Sequence, residues 1–270
     1  MAANELVRLT RDGDIALLLL DDPDRRNAMT RAMGEAFRDR VAEICAEPSV
    51  RAVVLSGSGR AFSAGGDLDM LERQASLGAA APERAWRGIR DEMAGFYRLF
   101  LSLRDLPCPT IAAIQGAAVG AGLCVALACD LRYVAGDAQL GLNFARLGLH
   151  PGMAATWTLP RLVGPARAAE LLYTGRLIDG VEAERIGLAS RVLPAAEVLP
   201  AALATAREMA ANAPIAVRAI KRALRRSDDA SLEDQLQFEA TEQARTFATH
   251  DAREGIASIR ERRAPRFDGR

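Results

Sequence analysis

The sequence predicts a parallel α/β fold followed by a helical C-terminal region, and three observations lead there. Apolar runs of strand length recur at 15–20, 51–55, 110–114 and 131–134, and helical or glycine-rich segments long enough for a crossover separate them. The runs are nearly continuous in apolar residues rather than alternating, as in strands buried on both faces. From Pro151 onward helical spacing takes over, with 188–192 as the exception.

Bulk properties fit that architecture. The chain has 270 residues, half of them apolar by type, with 35 basic and 35 acidic side chains. Such a length suits one large domain with a helical appendage, here a core over 1–200 and a helical region over 201–270. A formal charge of zero argues against a nucleic-acid protein. The four cysteines, Cys45, Cys108, Cys124 and Cys129, lack metal-ligand or redox spacing and are read as reduced thiols of a cytosolic protein. Segment 1–14 is charged, and the longest apolar run, 15–20, is too short to span a bilayer. A soluble, cytoplasmic protein is expected, with no membrane partner.

Each element has its own signal. The run 15–20 ends at Asp21-Asp22-Pro23, and Thr30 then caps a helix to about residue 46, with Met33, Phe37, Val41 and Ile44 on one face. Ser56-Gly57-Ser58-Gly59 closes the second strand. After the loop 63–66, a helix starts near Asp67, and 78–82 reads as a mobile loop of small residues. A long helix over 83–106 carries Phe96, Tyr97 and Phe100 at core-like spacing, and Pro107 and Pro109 stop it. Trp86 and Trp157 are read as packing residues. The glycine-studded stretch 116–122 opens an apolar helix over 123–128. Pro194, Pro214 and Ser231 mark helix starts, the last helix running to about residue 249.

Two glycine-rich turns carry the chemistry. Arg60-Ala-Phe-Ser-Ala-Gly-Gly-Asp-Leu68 and Gln115-Gly-Ala-Ala-Val-Gly-Ala-Gly-Leu123 each follow a strand and open a helix. A helix start presents unpaired N–H groups and the positive end of its dipole. Two such starts aimed at one carbonyl oxygen make an oxyanion hole, and small residues there let a carbonyl group approach. Singly, either turn also fits an ordinary strand-to-helix connection. Neither has the spacing of a dinucleotide or P-loop phosphate site.

These two turns resemble the two signatures of the crotonase (enoyl-CoA hydratase/isomerase) superfamily. The resemblance extends through Ala138-Gln-Leu-Gly141, Leu147-Gly-Leu149, Leu159-Pro-Arg-Leu-Val-Gly164, Leu172 to Arg176, 183–188, and the tail segments Phe247 to Gly255 and Glu261 to Phe267. It implies a core of stacked β-β-α turns and assembly as a homotrimer or dimer of trimers. The substrate it implies is an acyl-CoA thioester, with coenzyme A entering as part of that substrate and no permanently held cofactor or metal. By the same resemblance Gly66 and Ala121 supply the oxyanion amides, and Ala64 and Leu68 line the coenzyme path. Arg25 or Arg26, and Arg262, are candidates for the coenzyme phosphates, a solvated surface charge being the alternative for each, and Asp67 and Phe247 are placed with them at the coenzyme. Asp67 also fits a helix-cap role.

The pattern breaks at the acid/base positions. Hydration needs one group to activate water and another to protonate the α-carbon, and the family supplies two glutamates. Those positions fall on Cys124 and Phe144, and neither is expected to act as a base, a buried thiol being harder to ionise. His150, beside Pro151-Gly152, is the candidate acid/base group, with a structural role as the alternative. Asn143 and Arg146 are candidates to orient an acyl carboxylate or a water, with structural roles as the alternative. His250 is read as a surface residue. The expectation is therefore a family member with doubtful hydratase activity. The alternatives are a variant isomerase, decarboxylase, hydrolase or carbon–carbon lyase using His150, and a silent acyl-CoA binding protein.

Overall fold

The computed structural model describes residues 6–270, so positions 1–5 of the charged opening segment lie outside it. β1 (Val7–Asp12) and β2 (Ile15–Leu20) form an antiparallel hairpin at one edge. β1 goes beyond the sequence expectation: its charged side chains face solvent at the sheet edge and mask the strand signal. From β2 inward the sheet is parallel, through β3 (Ala52–Gly57), β5 (Thr110–Ile114), β7 (Leu131–Ala135) and β9 (Arg191–Leu193). Every residue of β3 and β5 is buried, which is why these strands read as unbroken apolar runs.

A second parallel sheet holds three short strands, β4 (Ala61–Ser63), β6 (Ala117–Val119) and β8 (Leu140–Gly141). Each follows a strand of the large sheet, so β3–β4, β5–β6 and β7–β8 stack as successive β-β turns. The mixed α/β core and helical C-terminal region are as expected from the sequence. The short strands lie where it shows glycine-studded turns, because two or three residues carry no detectable period.

Helices complete the crossovers. α1 (Arg31–Cys45) starts where Thr30 accepts a hydrogen bond from Met33 N. It packs on α3 (Pro82–Leu101), with the buried Phe37 and Phe100 rings 5.5 Å apart. α2 (Leu68–Ala80) precedes α3 with only Ala81 between them, so the expected loop at 78–82 is helix on both sides of a one-residue break. Alanine is the strongest helix former, and small size there misled the reading. α3 ends at Leu101 and tightens into a 3-10 turn over Ser102–Asp105.

α4 (Ala121–Leu127) is wholly buried. α5 (Ala155–Val163), α6 (Pro165–Thr174) and α7 (Gly180–Arg185) follow. α8 (Ala195–Ala210) then lays the buried alanines Ala202 and Ala206 against the large sheet, and a division at residue 200 falls inside this helix. α9 (Pro214–Ser227) leads to α10 (Leu232–Phe247). The helix after Ser231 stops at Phe247, and Thr249 caps a further helix, α11 (His250–Glu261). Large apolar side chains stay uncovered on this region, among them Leu224, Leu232, Phe247 and Ile259. No helix among the described residues is long and apolar enough to cross a membrane.

Candidate active site

A buried asparagine organises the first turn. Asn27 takes a left-handed backbone conformation, with φ of 52–54° shared with its neighbour Arg26. Its amide donates to Ala61 O at 2.9 Å and Phe62 O at 3.2 Å, and its oxygen accepts from Asp22 N at 2.9 Å. Ser63 Oγ donates to Asn27 O at 2.8 Å and accepts from Gly65 N at 3.2 Å. Gln115 reaches over from the second turn to Gly57 O at 2.7 Å and Ala61 O at 3.0 Å. Asn27 carried no motif signal; only a short polar residue able to adopt a left-handed conformation marks the position.

The two turns lie against each other. β4 and β6 pair in parallel, Ala61 opposite Ala117 and Ser63 opposite Ala118. At Gly65, φ is 99°, and an added methyl would stand 2.6 Å from Val119 O and 3.6 Å from Ala121 N. A methyl on Gly122 would meet Ser63 Cβ at 2.6 Å. Glycine therefore permits both the backbone shape and the approach. Gly66 precedes α2 and Ala121 is the first residue of α4. Among the described residues neither N–H finds an acceptor: Met29 N takes Gly65 O, Met29 O takes Asp67 N, and Gly120 O takes Cys124 N.

Gly66 and Ala121 line one cavity of about 320 Å³. Its walls are largely apolar, from Leu71, Met93, Phe96 and Met153, and Tyr97, Asn143 and His150 add polar groups. A larger cleft of about 540 Å³ lies between α5 and α9, lined by Trp157 and Lys221, and neither turn reaches it. The unpaired amides make the smaller cavity the candidate site.

The expected residues divide into three groups. Ala64, Leu68, Phe144 and His150 line the cavity, Leu68 being exposed at its mouth. Asp67 accepts from Met70 N at 3.0 Å and pairs with Arg25, so its carboxylate is engaged as a helix cap. Arg25, Arg26, Phe247 and Arg262 line no part of the cavity; Phe247 ends α10 and Arg262 closes α11 in a left-handed conformation. Arg146 turns away and donates to Thr174 O at 3.1 Å.

The titratable groups have distinct states. Cys124 is buried, its Sγ 3.7 Å from Gly152 O, and burial pushes its thiol up to about 12. It is no base near neutrality. His150 is exposed, with Nδ1 2.7 Å from Pro151 O. A carbonyl only accepts, so Nδ1 carries the proton and Nε2 of the neutral ring keeps its lone pair. Tyr97, read as core with Phe96 and Phe100, instead lines the cavity; Phe96 and Phe100 are buried as expected. Its helical spacing is that of a core residue, and only the fold shows which neighbour its hydroxyl meets.

Comparison with known proteins gives a consistent result. The family described as enoyl-CoA hydratase/isomerase matches residues 10–270. A Thermus thermophilus protein whose name carries the enoyl-CoA hydratase label is 39% identical over 255 residues, covering 94% of this chain and 98% of its own. The crystal structure of enoyl-CoA hydratase from Bacillus anthracis superposes with a TM-score of 0.89 at 32% identity, over 98% of this chain and 100% of that one. An enoyl-CoA hydratase subunit structure from Geobacillus kaustophilus gives 0.88 at 32% identity, over 98% of both chains.

Proposed function

The chain belongs to the enoyl-CoA hydratase/isomerase family of acyl-CoA enzymes, and from that premise we propose that it activates an acyl-CoA thioester through the backbone N–H groups of Gly66 and Ala121. The supporting observation is that both amides lack acceptors and border one cavity. A thioester carbonyl placed between them takes two hydrogen bonds that strengthen as charge moves onto its oxygen. Removing one such donor costs about 3–4 kcal/mol of barrier.

Coenzyme A enters as part of the substrate. Ala64 and Leu68 border the acyl end of its path, and Arg25 and Arg26 lie on the segment beside the first turn. Phe247 and Arg262 serve a thioester only where a neighbouring copy brings them, which fits assembly as a trimer or dimer of trimers. The uncovered apolar side chains of α9, α10 and α11 support that assembly. Four free thiols suit a reducing compartment such as the cytoplasm.

The reaction is a family variant rather than efficient hydration. Cys124 and Phe144 stand at the glutamate positions, and general acid/base groups contribute about 10²–10⁴ each. His150, with Nε2 available, is the group fitted to take up a proton during isomerisation, decarboxylation, hydrolysis or carbon–carbon cleavage. A silent acyl-CoA binding protein is the competing reading, favoured by the same two substitutions.

A substrate panel decides between them: crotonyl-CoA, a 3-enoyl-CoA, a malonyl-type CoA and a saturated acyl-CoA, with products followed by mass spectrometry. Turnover that Ala121→Pro lowers by at least about 10²–10³ is the expected result. Proline is tolerated at a helix's first position, so the fold survives, while its ring removes the N–H and sets a carbon where the thioester oxygen would sit. Binding of every thioester without turnover establishes the silent reading, and rapid crotonyl-CoA hydration overturns the variant one.

A further inference from the structure

Around Gly152 the fold assembles a group that the oxyanion amides do not explain. Tyr97, on α3, borders the same cavity as Gly66 and Ala121, and among the described residues its hydroxyl has no hydrogen-bond partner. A methyl added at Gly152 would stand 2.5 Å from that hydroxyl oxygen and 2.6 Å from Cζ. The phenol therefore lies directly on the Gly152 backbone, and only a residue without a side chain admits it. The carbonyl of the same Gly152 faces the Cys124 thiol at 3.7 Å. Hydroxyl and thiol thus meet at one residue.

Cys124 follows Ala121 by three positions on α4, so the two share a helix face about one turn apart. The Tyr97 hydroxyl accordingly shares the Gly152 backbone with the position where the resemblance places the first glutamate, and it lines the same cavity as Ala121. Phenylalanine at 97 would fill the same volume, and the hydroxyl adds the polar atom that Cys124 withdraws.

We propose that Tyr97 is the proton donor of this site, delivering its hydroxyl proton to the α-carbon of the thioester enolate. The inference rests on the acyl-CoA reading above. In this step the carbon–carbon π pair of the enolate forms the new C–H bond and the phenol O–H bond breaks. The thioester C=O is restored, and the phenolate regains a proton from water. Burial, with Cys124 as neighbour, pushes the phenol above its ordinary value, so it stays protonated through the neutral range. His150, the other titratable group bordering the cavity, has its lone pair on Nε2 and fits the opposite role of accepting a proton.

The test is deuterium incorporation at the α-carbon of butyryl-CoA in D₂O, followed by mass spectrometry from neutral to alkaline pH. Exchange runs the step in both directions, so with Tyr97 as the group the rate climbs as phenolate forms. Tyr97→Phe is expected to lower exchange by about 100-fold and flatten the alkaline climb, with butyryl-CoA binding by calorimetry unchanged. Gly152→Ala, which displaces the ring, should reproduce the loss. Equal exchange in wild type and Tyr97→Phe overturns Tyr97 as donor and leaves the acyl-CoA reading standing. Binding without any exchange in the wild type sinks the enolate chemistry and this inference together.

Discussion

Cys124 shows how burial settles what one side chain can do. Its thiol is enclosed on all sides and held near 12, so it neither ionises nor meets reagents in the folded protein. Of the four free cysteines only Cys45 is exposed, and its thiol too is raised, by partial burial and Asp105. A thiol titration with a disulfide reagent should therefore count one slow-reacting group in native protein and all four in denaturant; rapid reaction of Cys124 would contradict its burial. Phe144 is the more permissive of the two altered positions, because it borders the cavity and is only partly buried. Phe144→Glu is expected to raise crotonyl-CoA hydration, by up to about 100-fold if the new carboxylate can activate water. A steady-state hydration assay reads this directly. At this scale motifs in the sequence singled out Gly66, Ala121 and Phe144, which line one cavity, and Cys124, which is buried beside it. The sequence placed Tyr97 in the core and was silent on Asn27, because their surroundings depend on partners in distant turns, the Gly152 backbone and the carbonyls of Ala61 and Phe62.

Elements were legible in proportion to their length. The long strands announced themselves because burial on both faces demands apolar residues throughout. β4, β6 and β8 were hidden inside glycine turns, yet they bring the two helix starts together. Their pairing leaves almost no room: the Gly122 backbone lies against Ser63, where a methyl would come within 2.6 Å of Cβ and 2.9 Å of the carbonyl. Gly122→Ala should thus wedge the turns apart, costing about 1–3 kcal/mol of stability, as overpacking does. Activity should fall further than stability alone explains, since the amides at Gly66 and Ala121 would separate. Chemical denaturation alongside turnover at a temperature where the variant remains folded separates the two effects. Retained turnover would show that the spacing of the turns is not critical.

Across the whole molecule, the C-terminal segment is tied back by charge. Glu254 on α11 accepts from both terminal nitrogens of Arg263 and from Arg266 N at 2.8 Å. Asp251 accepts from Asp268 N and Gly269 N, and Arg51 of the core donates to Phe267 O at 2.8 Å. The Arg263 guanidinium holds Glu254 at about 2, below its ordinary 4.5. A depressed carboxylate contributes stability above its unfolded value that is lost as pH falls through its folded one. Acid between 4.5 and about 2 should therefore loosen 262–270, seen as faster amide exchange there, and Glu254→Gln should loosen it at neutral pH. Unaltered exchange in that variant would assign the anchoring to Asp251 and Arg51. Under the proposed function the centre of the molecule obeys a different rule, because the two donors assigned to it are peptide groups. Ordinary side-chain replacement cannot delete a main-chain N–H; only proline, or a shift of the turn itself, can. Carbonyl activation of the proposed kind is thus insulated from changes that redirect proton chemistry, and on that reading a lineage can swap one reaction for another without first losing its grip on the thioester.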